Sequence, residues 1–413
     1  MWQETVLVNE NIKFKYIENG SVTSVNGFKA AGIHCGLKKK RKDLALITSD
    51  TECNAGGTFT LNKVKAAPLL ISQELLKNHN KFKAVLVNSG NANACTGQDG
   101  YEDALATQKY CANKLGVEAN QVLISSTGVI GQRMNLASII NGIENIADSV
   151  TDDGGIDAAE AIMTTDLRNK NFAVKVNLSK GQVTIGAICK GSGMIMPNMA
   201  TMLAFVTTDA DIDKHTVQNL ISTSVLDSFN KISVDGDTST NDMVILMANG
   251  KSAITLVEGT NDYDIFQEAL TDLCKKMSKS IAGDGEGATK LITVNVTNAT
   301  SDEDANKVGK AICNSPLVKT AINGSDANWG RIISAAGYSG AEFDPAKVTI
   351  KFNDFTILSP NYKSDFCETE AKEILSNDEI EINIDLNAGT SDTTWWTCDF
   401  SEQYIQINAS YRS

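Results

Sequence analysis

Histidine is scarce in this chain, with only His34, His79 and His215 among 413 residues. None stands in an HExxH pattern or beside a second metal ligand, so a histidine-based zinc site or catalytic triad has little to build on. Cysteine occurs nine times but never as CxxC, which removes zinc ribbons and thioredoxin-type redox motifs. Scattered cysteines of this kind read as reduced thiols, most of them filling the core. Proline occurs five times and never in a linker-like cluster. No apolar run approaches the ~20 residues a membrane helix requires, so no membrane partner is expected. Met1-Trp2-Gln3-Glu4-Thr5 offers neither a basic n-region nor a following apolar h-region. No targeting leader and a cytoplasmic location are therefore expected. Positive charge is also in deficit: 37 Lys and Arg against 50 Asp and Glu give a net charge of −13. A polyanion wants a basic surface, so nucleic acid is not an expected partner. The one basic run, Lys38-Lys39-Lys40-Arg41-Lys42, reads as a solvated loop rather than a localisation signal.

What remains is ordinary globular material, 42% apolar and 21% charged. Short β-branched runs bounded by Gly, Asn or Asp predict strands. They include Leu44–Thr48, Ala84–Val87, Val122–Ser125, Val183–Ile188, Met202–Thr207, Met243–Met247, Leu291–Val296, Val348–Phe352, Ile380–Ile384 and Tyr404–Ile407. Between them, helices are predicted over Gly100–Leu115, Leu136–Ser149, Lys214–Ser228, Tyr263–Ile281 and Asp302–Ala311. The last of these opens with the cap-like Ser301-Asp302-Glu303-Asp304. Such alternation implies an α/β protein whose sheets are covered by helices.

Several segments depart from ordinary strand and helix text. Val87-Asn88-Ser89-Gly90-Asn91-Ala92-Asn93-Ala94 reads as an Asn-rich strand-to-helix turn or a binding loop. Ser125-Ser126-Thr127-Gly128-Val129-Ile130-Gly131 reads as a second such junction, where backbone N–H groups can face an anion or a developing oxyanion. Lys190-Gly191-Ser192-Gly193-Met194 leads through Pro197 to Met199-Ala200-Thr201-Met202-Leu203, placing a threonine at the head of a strand. A threonine hydroxyl needs a base, and one solution is a new N-terminus whose own α-amine serves; a plain strand residue is the other reading of Thr201. Gly283-Asp284-Gly285-Glu286-Gly287-Ala288-Thr289-Lys290 fails the GxxxxGK[ST] phosphate pattern and suits an ammonium group better. Ser233-Val234-Asp235-Gly236-Asp237-Thr238-Ser239-Thr240-Asn241-Asp242 lacks EF-hand spacing and reads as a tightly hydrogen-bonded turn.

Taken together, these segments resemble the ArgJ family, the ornithine acetyltransferases or glutamate N-acetyltransferases. The resemblance runs from Gly32-Ile33 and Asp43-Leu44-Ala45-Leu46-Ile47 to Asn408-Ala409-Ser410-Tyr411-Arg412-Ser413. Its most specific part is the stretch from Lys190 to Leu203, followed by Asp235–Asp242. Asp284–Lys290 and Asn328-Trp329-Gly330-Arg331 add to it. One mild departure is Met196 before Pro197, where many relatives carry Ala.

The resemblance implies a layered α/β sandwich of the DmpA/ArgJ type and a self-cleaving N-terminal-threonine enzyme. Cleavage between Ala200 and Thr201 would leave an α chain of residues 1–200 and a β chain of residues 201–413, usually assembled as α2β2. Thr201 would be the nucleophile, and Thr127 with Gly128 the oxyanion-stabilising pair. Thr164 or Thr165, Lys190, Glu286, Asn408 and the terminal Ser413 would hold substrate, Lys190 meeting a carboxylate and Glu286 a cationic part. The implied reaction moves acetyl from N-acetylornithine to glutamate by a ping-pong route. It needs no metal and no cofactor, with acetyl-CoA a co-substrate in some members. A self-cleaving aminopeptidase or amidase, and a non-catalytic amino-acid-binding homologue, are the alternatives.

Overall fold

Side-chain alternation along the strands divides this protein into layers. The computed structural model describes residues 13–196 and 202–410. In strand Leu203–Thr208, Ala204 and Val206 pack toward helices Lys214–Leu226 and Asn261–Ala282. Leu203 and Phe205 face the other way, into a second core. Strand Phe82–Asn91 does the same in mirror fashion. Its Ala84 and Leu86 meet helices Gly97–Leu115 and Leu136–Ile146, while Val85 and Val87 turn to the second core. A period of two thus assigns every buried strand residue to one of two faces.

The long strand Leu44–Phe59 joins the two layers. Its first part pairs antiparallel with Phe28–Ile33 and Phe82–Asn91, its last part with Met243–Ala248. The register breaks between Thr48 and Cys53, which lets the strand cross from one sheet to the other. The outcome is helices, sheet, sheet, helices, with Ile47, Val85, Val87 and Leu123 packed against Ile188, Phe205, Met243 and Ile245 between the sheets.

A further six-stranded sheet is built around Leu291–Ala299, parallel to Glu379–Asp385 and antiparallel to Ser391–Cys398. Helices Asp302–Asn314, Pro316–Asn323, Trp329–Gly337 and Glu368–Leu375 cover one face. Trp396 and Cys398 on the other face pack into the core that holds helix Asn261–Ala282. The α/β layering expected from the alternation is present. The cap at Ser301 is too, its hydroxyl accepting from the Asp304 N–H at 3.1 Å. Six of the nine cysteines are buried, and Cys95 and Cys367 are exposed. Among the described residues no helix is long and apolar enough to cross a membrane.

Two local expectations differ. Tyr404–Ile407 lies inside helix Glu402–Ser410 rather than in a strand. Its Tyr-Ile-Gln-Ile alternation is too short to impose a period, and the helix buries no residue. The Ser401 hydroxyl starts that helix by accepting from the Gln403 N–H at 3.2 Å. The basic run is not a free solvated loop. Lys42 pairs with Asp157 and Glu160, Lys38 donates to the Met163 carbonyl, and Arg41 to the Asp166 carbonyl. Lys39, Lys40 and Arg41 are the exposed members of the run.

Candidate active site

Residues from both inner sheets line a cavity of about 170 Å³. One wall is backbone. Strand Val122–Val129 runs through Thr127 and Gly128, in parallel register with Ser89 and Gly90. The segment expected to be a strand-to-helix turn is therefore strand at both positions, because Phe82–Asn91 extends far enough to pair with it. Gly128 has φ +129°, and a Cβ there would lie 2.5 Å from the Gly90 carbonyl carbon. Only glycine fits this close approach. The wall is braced from across the mouth by Asn241, whose Nδ2 donates to the carbonyls of Ala92 and Ser126, each at 2.7 Å. The segment 233–242, read from sequence as a turn, thus carries cavity residues Asp235, Asp237, Ser239 and Asn241 as well.

The opposite wall carries charge. Lys190 ends strand Gly181–Lys190, next to Leu203 of the returning strand. Burial pushes its ammonium below the ordinary lysine range, and Asp166, Asp242 and Glu286 pull the other way. Glu286 is buried, and its carboxylate accepts from Asn408 Nδ2 at 2.7 Å. Gly193 leaves room for that carboxylate, since a Cβ there would come within 2.4 Å of it. Thr164 and Thr165 line the same cavity. The Thr164 N–H donates to Asp166 at 3.0 Å. Asp284, the other carboxylate of the glycine-rich segment, turns inward instead and pairs with Lys170 at 2.5 Å.

The chain between Lys190 and Leu203 leaves this wall through a strained turn. Met194 takes φ +57°, a left-handed value unusual for a side chain of its size. Asp235 secures it, accepting from the N–H groups of Met194 at 2.7 Å and Ile195 at 2.8 Å. Tyr404 donates to the same carboxylate at 3.3 Å. Burial and then Asp235 hold its phenol well above the ordinary tyrosine value. On the far side, Met202 is held by its carbonyl accepting from Met243. Ala200, Thr201 and Ser413, three of the residues singled out in the sequence, lie outside the described residues.

The sequence pattern of the ArgJ family matches residues 29–413. The arginine biosynthesis bifunctional protein ArgJ of Oceanobacillus iheyensis is 44% identical over 411 residues, 99% of this chain and 100% of that protein. The chain belongs to the ArgJ family. The ArgJ protein of Caldanaerobacter subterraneus is 48% identical over 402 residues, covering 96% of this chain and 100% of its own. A crystal structure of the ArgJ protein from Bacillus halodurans is 45% identical and covers 51% of this chain and 100% of its own, with a TM-score of 0.49.

Within this ArgJ chain, the sequence-singled residues Thr127, Gly128, Thr164, Thr165, Lys190, Glu286 and Asn408 converge on one cavity. They come from five separate stretches of chain. Sequence reasoning misses Asp235, Asn241 and Tyr404 as cavity residues. The only signal for the first two is the density of Asp, Ser, Thr and Asn between Ser233 and Asp242.

Proposed function

We propose that this chain moves the acetyl group of N2-acetyl-L-ornithine to L-glutamate, yielding L-ornithine and N-acetyl-L-glutamate in arginine biosynthesis. The observation that carries this reading is the pairing, in one cavity of an ArgJ-family chain, of a backbone wall with an opposed lysine and glutamate. A zwitterionic amino acid presents a carboxylate and an ammonium, and Lys190 and Glu286 complement both. The carboxamide of Asn408 closes on Glu286 from helix Glu402–Ser410, and Thr164 or Thr165, together with Ser413, would complete the substrate contacts.

In this reading the precursor first cleaves itself. The Thr201 hydroxyl attacks the Ala200 carbonyl, and hydrolysis of the ester leaves fragments 1–200 and 201–413, which assemble as α2β2. The freed α-amine of Thr201 has a reference pKa of ~7.7–8.0 and becomes the base. It takes the hydroxyl proton as Oγ attacks the acetyl carbonyl of acetylornithine. The oxyanion rests against Thr127 and Gly128, a device typically worth about 3–4 kcal/mol per donor. The C–N bond then breaks, ornithine leaves with the proton, and an acetyl-threonine ester remains. The glutamate amine attacks that ester, the C–O bond breaks, and the threonine hydroxyl is restored. No cofactor takes part, and acetyl-CoA is a second donor to assay. A cytoplasmic setting suits these metabolites.

Intact-mass measurement on freshly purified protein and a Thr201→Ala variant tests the reading, together with transfer assays. Two fragments in the wild type, the second beginning at Thr201, and one chain in the variant are expected. Glutamate should be required for acetyl loss from acetylornithine. An uncut wild-type chain removes the α-amine base and sinks the mechanism. Rapid acetyl loss without glutamate points to an amidase instead.

A further inference from the structure

A fully buried lysine lies behind the charged wall. Lys170, at the start of strand Lys170–Leu178, is 1% exposed. Its Nζ reaches Asp166 at 2.7 Å and Asp284 at 2.5 Å. Both carboxylates are themselves buried, and each holds backbone as well as the lysine. Asp166 accepts from the Gly191 N–H at 2.7 Å and the Thr164 N–H at 3.0 Å. Asp284 accepts from the Leu167 N–H at 3.2 Å, and its carbonyl takes the Ser192 hydroxyl at 2.7 Å. The Ser192 carbonyl in turn accepts from the Glu286 N–H at 2.9 Å. Three cavity segments therefore meet on one ammonium: 164–166, 190–193 and 284–286.

Two desolvated carboxylates around one desolvated ammonium are an expensive way to stabilise a protein. An apolar cluster of equal volume usually does as well or better. What an ion triad offers that an apolar cluster lacks is direction, because each carboxylate oxygen fixes an N–H at a defined angle. The N–H groups fixed here belong to Thr164, to Leu167 and to Gly191, immediately after Lys190. The Glu286 N–H is tied to the same residues through backbone, by the Ser192 carbonyl, while the Ser192 hydroxyl donates to the Asp284 carbonyl.

We propose that Lys170, with Asp166 and Asp284, is the positioning device of the substrate cavity, setting Thr164, Lys190 and Glu286 at their mutual spacing. None of the three lines the cavity itself. Asp166 and Lys170 precede the Ala200–Thr201 bond and Asp284 follows it, so under the self-cleavage reading the same triad also ties the two fragments together at the site.

The relevance to turnover rests on the acetyl-transfer reading, and the experiment separates the two. Asp284→Asn keeps the Lys170–Asp166 pair while removing the ion contacts of Asp284 with Lys170 and with the largely exposed Arg168. The triple variant Lys170→Met, Asp166→Asn, Asp284→Asn removes the three charges together, leaving the largely exposed Arg168 in solvent and Lys190 facing Asp242 and Glu286. Both are made in the full chain and compared with wild type in two measurements. The first is steady-state kinetics with acetylornithine and glutamate. The second is native-state amide exchange read over 190–193 and 284–287. KM for both substrates is expected to rise on the order of tenfold, with kcat within about twofold, as lost uniform binding requires. Exchange is expected to quicken at the Gly191 and Glu286 amides while the strands keep their protection. A lower Tm with unchanged KM and unchanged local exchange would overturn the proposal and leave a merely structural ion triad. If wild type shows no acetyl transfer, the functional reading fails by itself, and local exchange alone then decides for or against positioning.

Discussion

Glu286 and Asn408 meet at 2.7 Å, yet they are delivered by opposite kinds of structure. Glu286 sits on a loop locked from behind by Lys170, Asp284 and Ser192, with hardly any solvent around it. Asn408 is exposed on helix Glu402–Ser410, which buries none of its own residues. That helix is moored by a few contacts: Ser401 to the Gly287 carbonyl, Tyr404 to Asp235, and Asn408 itself. One side of the cavity is thus set by buried charge and close backbone, the other by a surface element held through a few hydrogen bonds.

If that contrast holds, substitutions on the backbone wall should be the most damaging. Gly128→Ala forces a Cβ onto Gly90 at a φ that side chains avoid. Transfer is expected to fall by a factor on the order of 10²–10³ in kcat, measured under saturating substrates. Retained kcat would show that the strand can shift and that the wall is not rigid.

The buried triad comes next. Lys170→Met alone leaves Asp166 and Asp284 without the buried cation between them, Lys190 remaining near the first and the largely exposed Arg168 at 3.5 Å from the second, and a loss of about 3 kcal/mol in urea unfolding is expected. Acid should reveal the same group. Burial raises the Asp166 carboxyl, but Lys170 and then Lys190 overcome it and hold it at about 2, below its ordinary 3.8. Its contribution to stability is therefore complete above the ordinary value and is lost as pH falls from 3.8 toward 2. Lys170 itself, raised by the same two carboxylates despite burial, contributes fully below 10.5 and less as pH climbs beyond it. Unfolding curves across both ranges check this, and Asp166→Asn should flatten the acid limb.

A smaller effect is expected at Lys190. Its lowered pKa, caused by burial, means that its charge is lost at a lower pH than that of an ordinary lysine. KM should rise on the alkaline side earlier than for a surface lysine, and Lys190→Met should show a high KM without that limb. The smallest effects belong to the moored helix. Tyr404→Phe removes one hydrogen bond and Asn408→Ala two, to Glu286 and to the Tyr404 carbonyl, each of about 1 kcal/mol, so a few-fold change in KM and little change in Tm are expected. A large loss of stability in either would erase the distinction between the two sides of the cavity.

Much of this cavity is legible in the amino-acid sequence, though unevenly. Thr127, Gly128, Thr164, Thr165, Lys190, Glu286 and Asn408 stand out because their segments carry family motifs, and motifs are local in sequence. Asp235 and Asn241 stand in an equally dense segment that reads as a turn. Their cavity role depends on reaching Met194 and Ser126, which lie far away along the chain. Tyr404 reads as part of a strand because four alternating residues cannot separate a strand from an exposed helix. Lys170 draws no attention, for a lysine in a strand looks like a surface residue until its partner 114 residues away is known.

The sequence by itself determined the α/β class, the principal strands and helices and the family, because hydrophobic period and motif spacing are properties of neighbouring residues. Tertiary structure alone decided that strand Leu44–Phe59 bends across two sheets and that one cavity gathers five stretches of chain. It alone made Lys170 the buried centre of the charged wall. An ion contact depends on distance in space, and burial depends on everything packed around it; neither is encoded in any single window of residues.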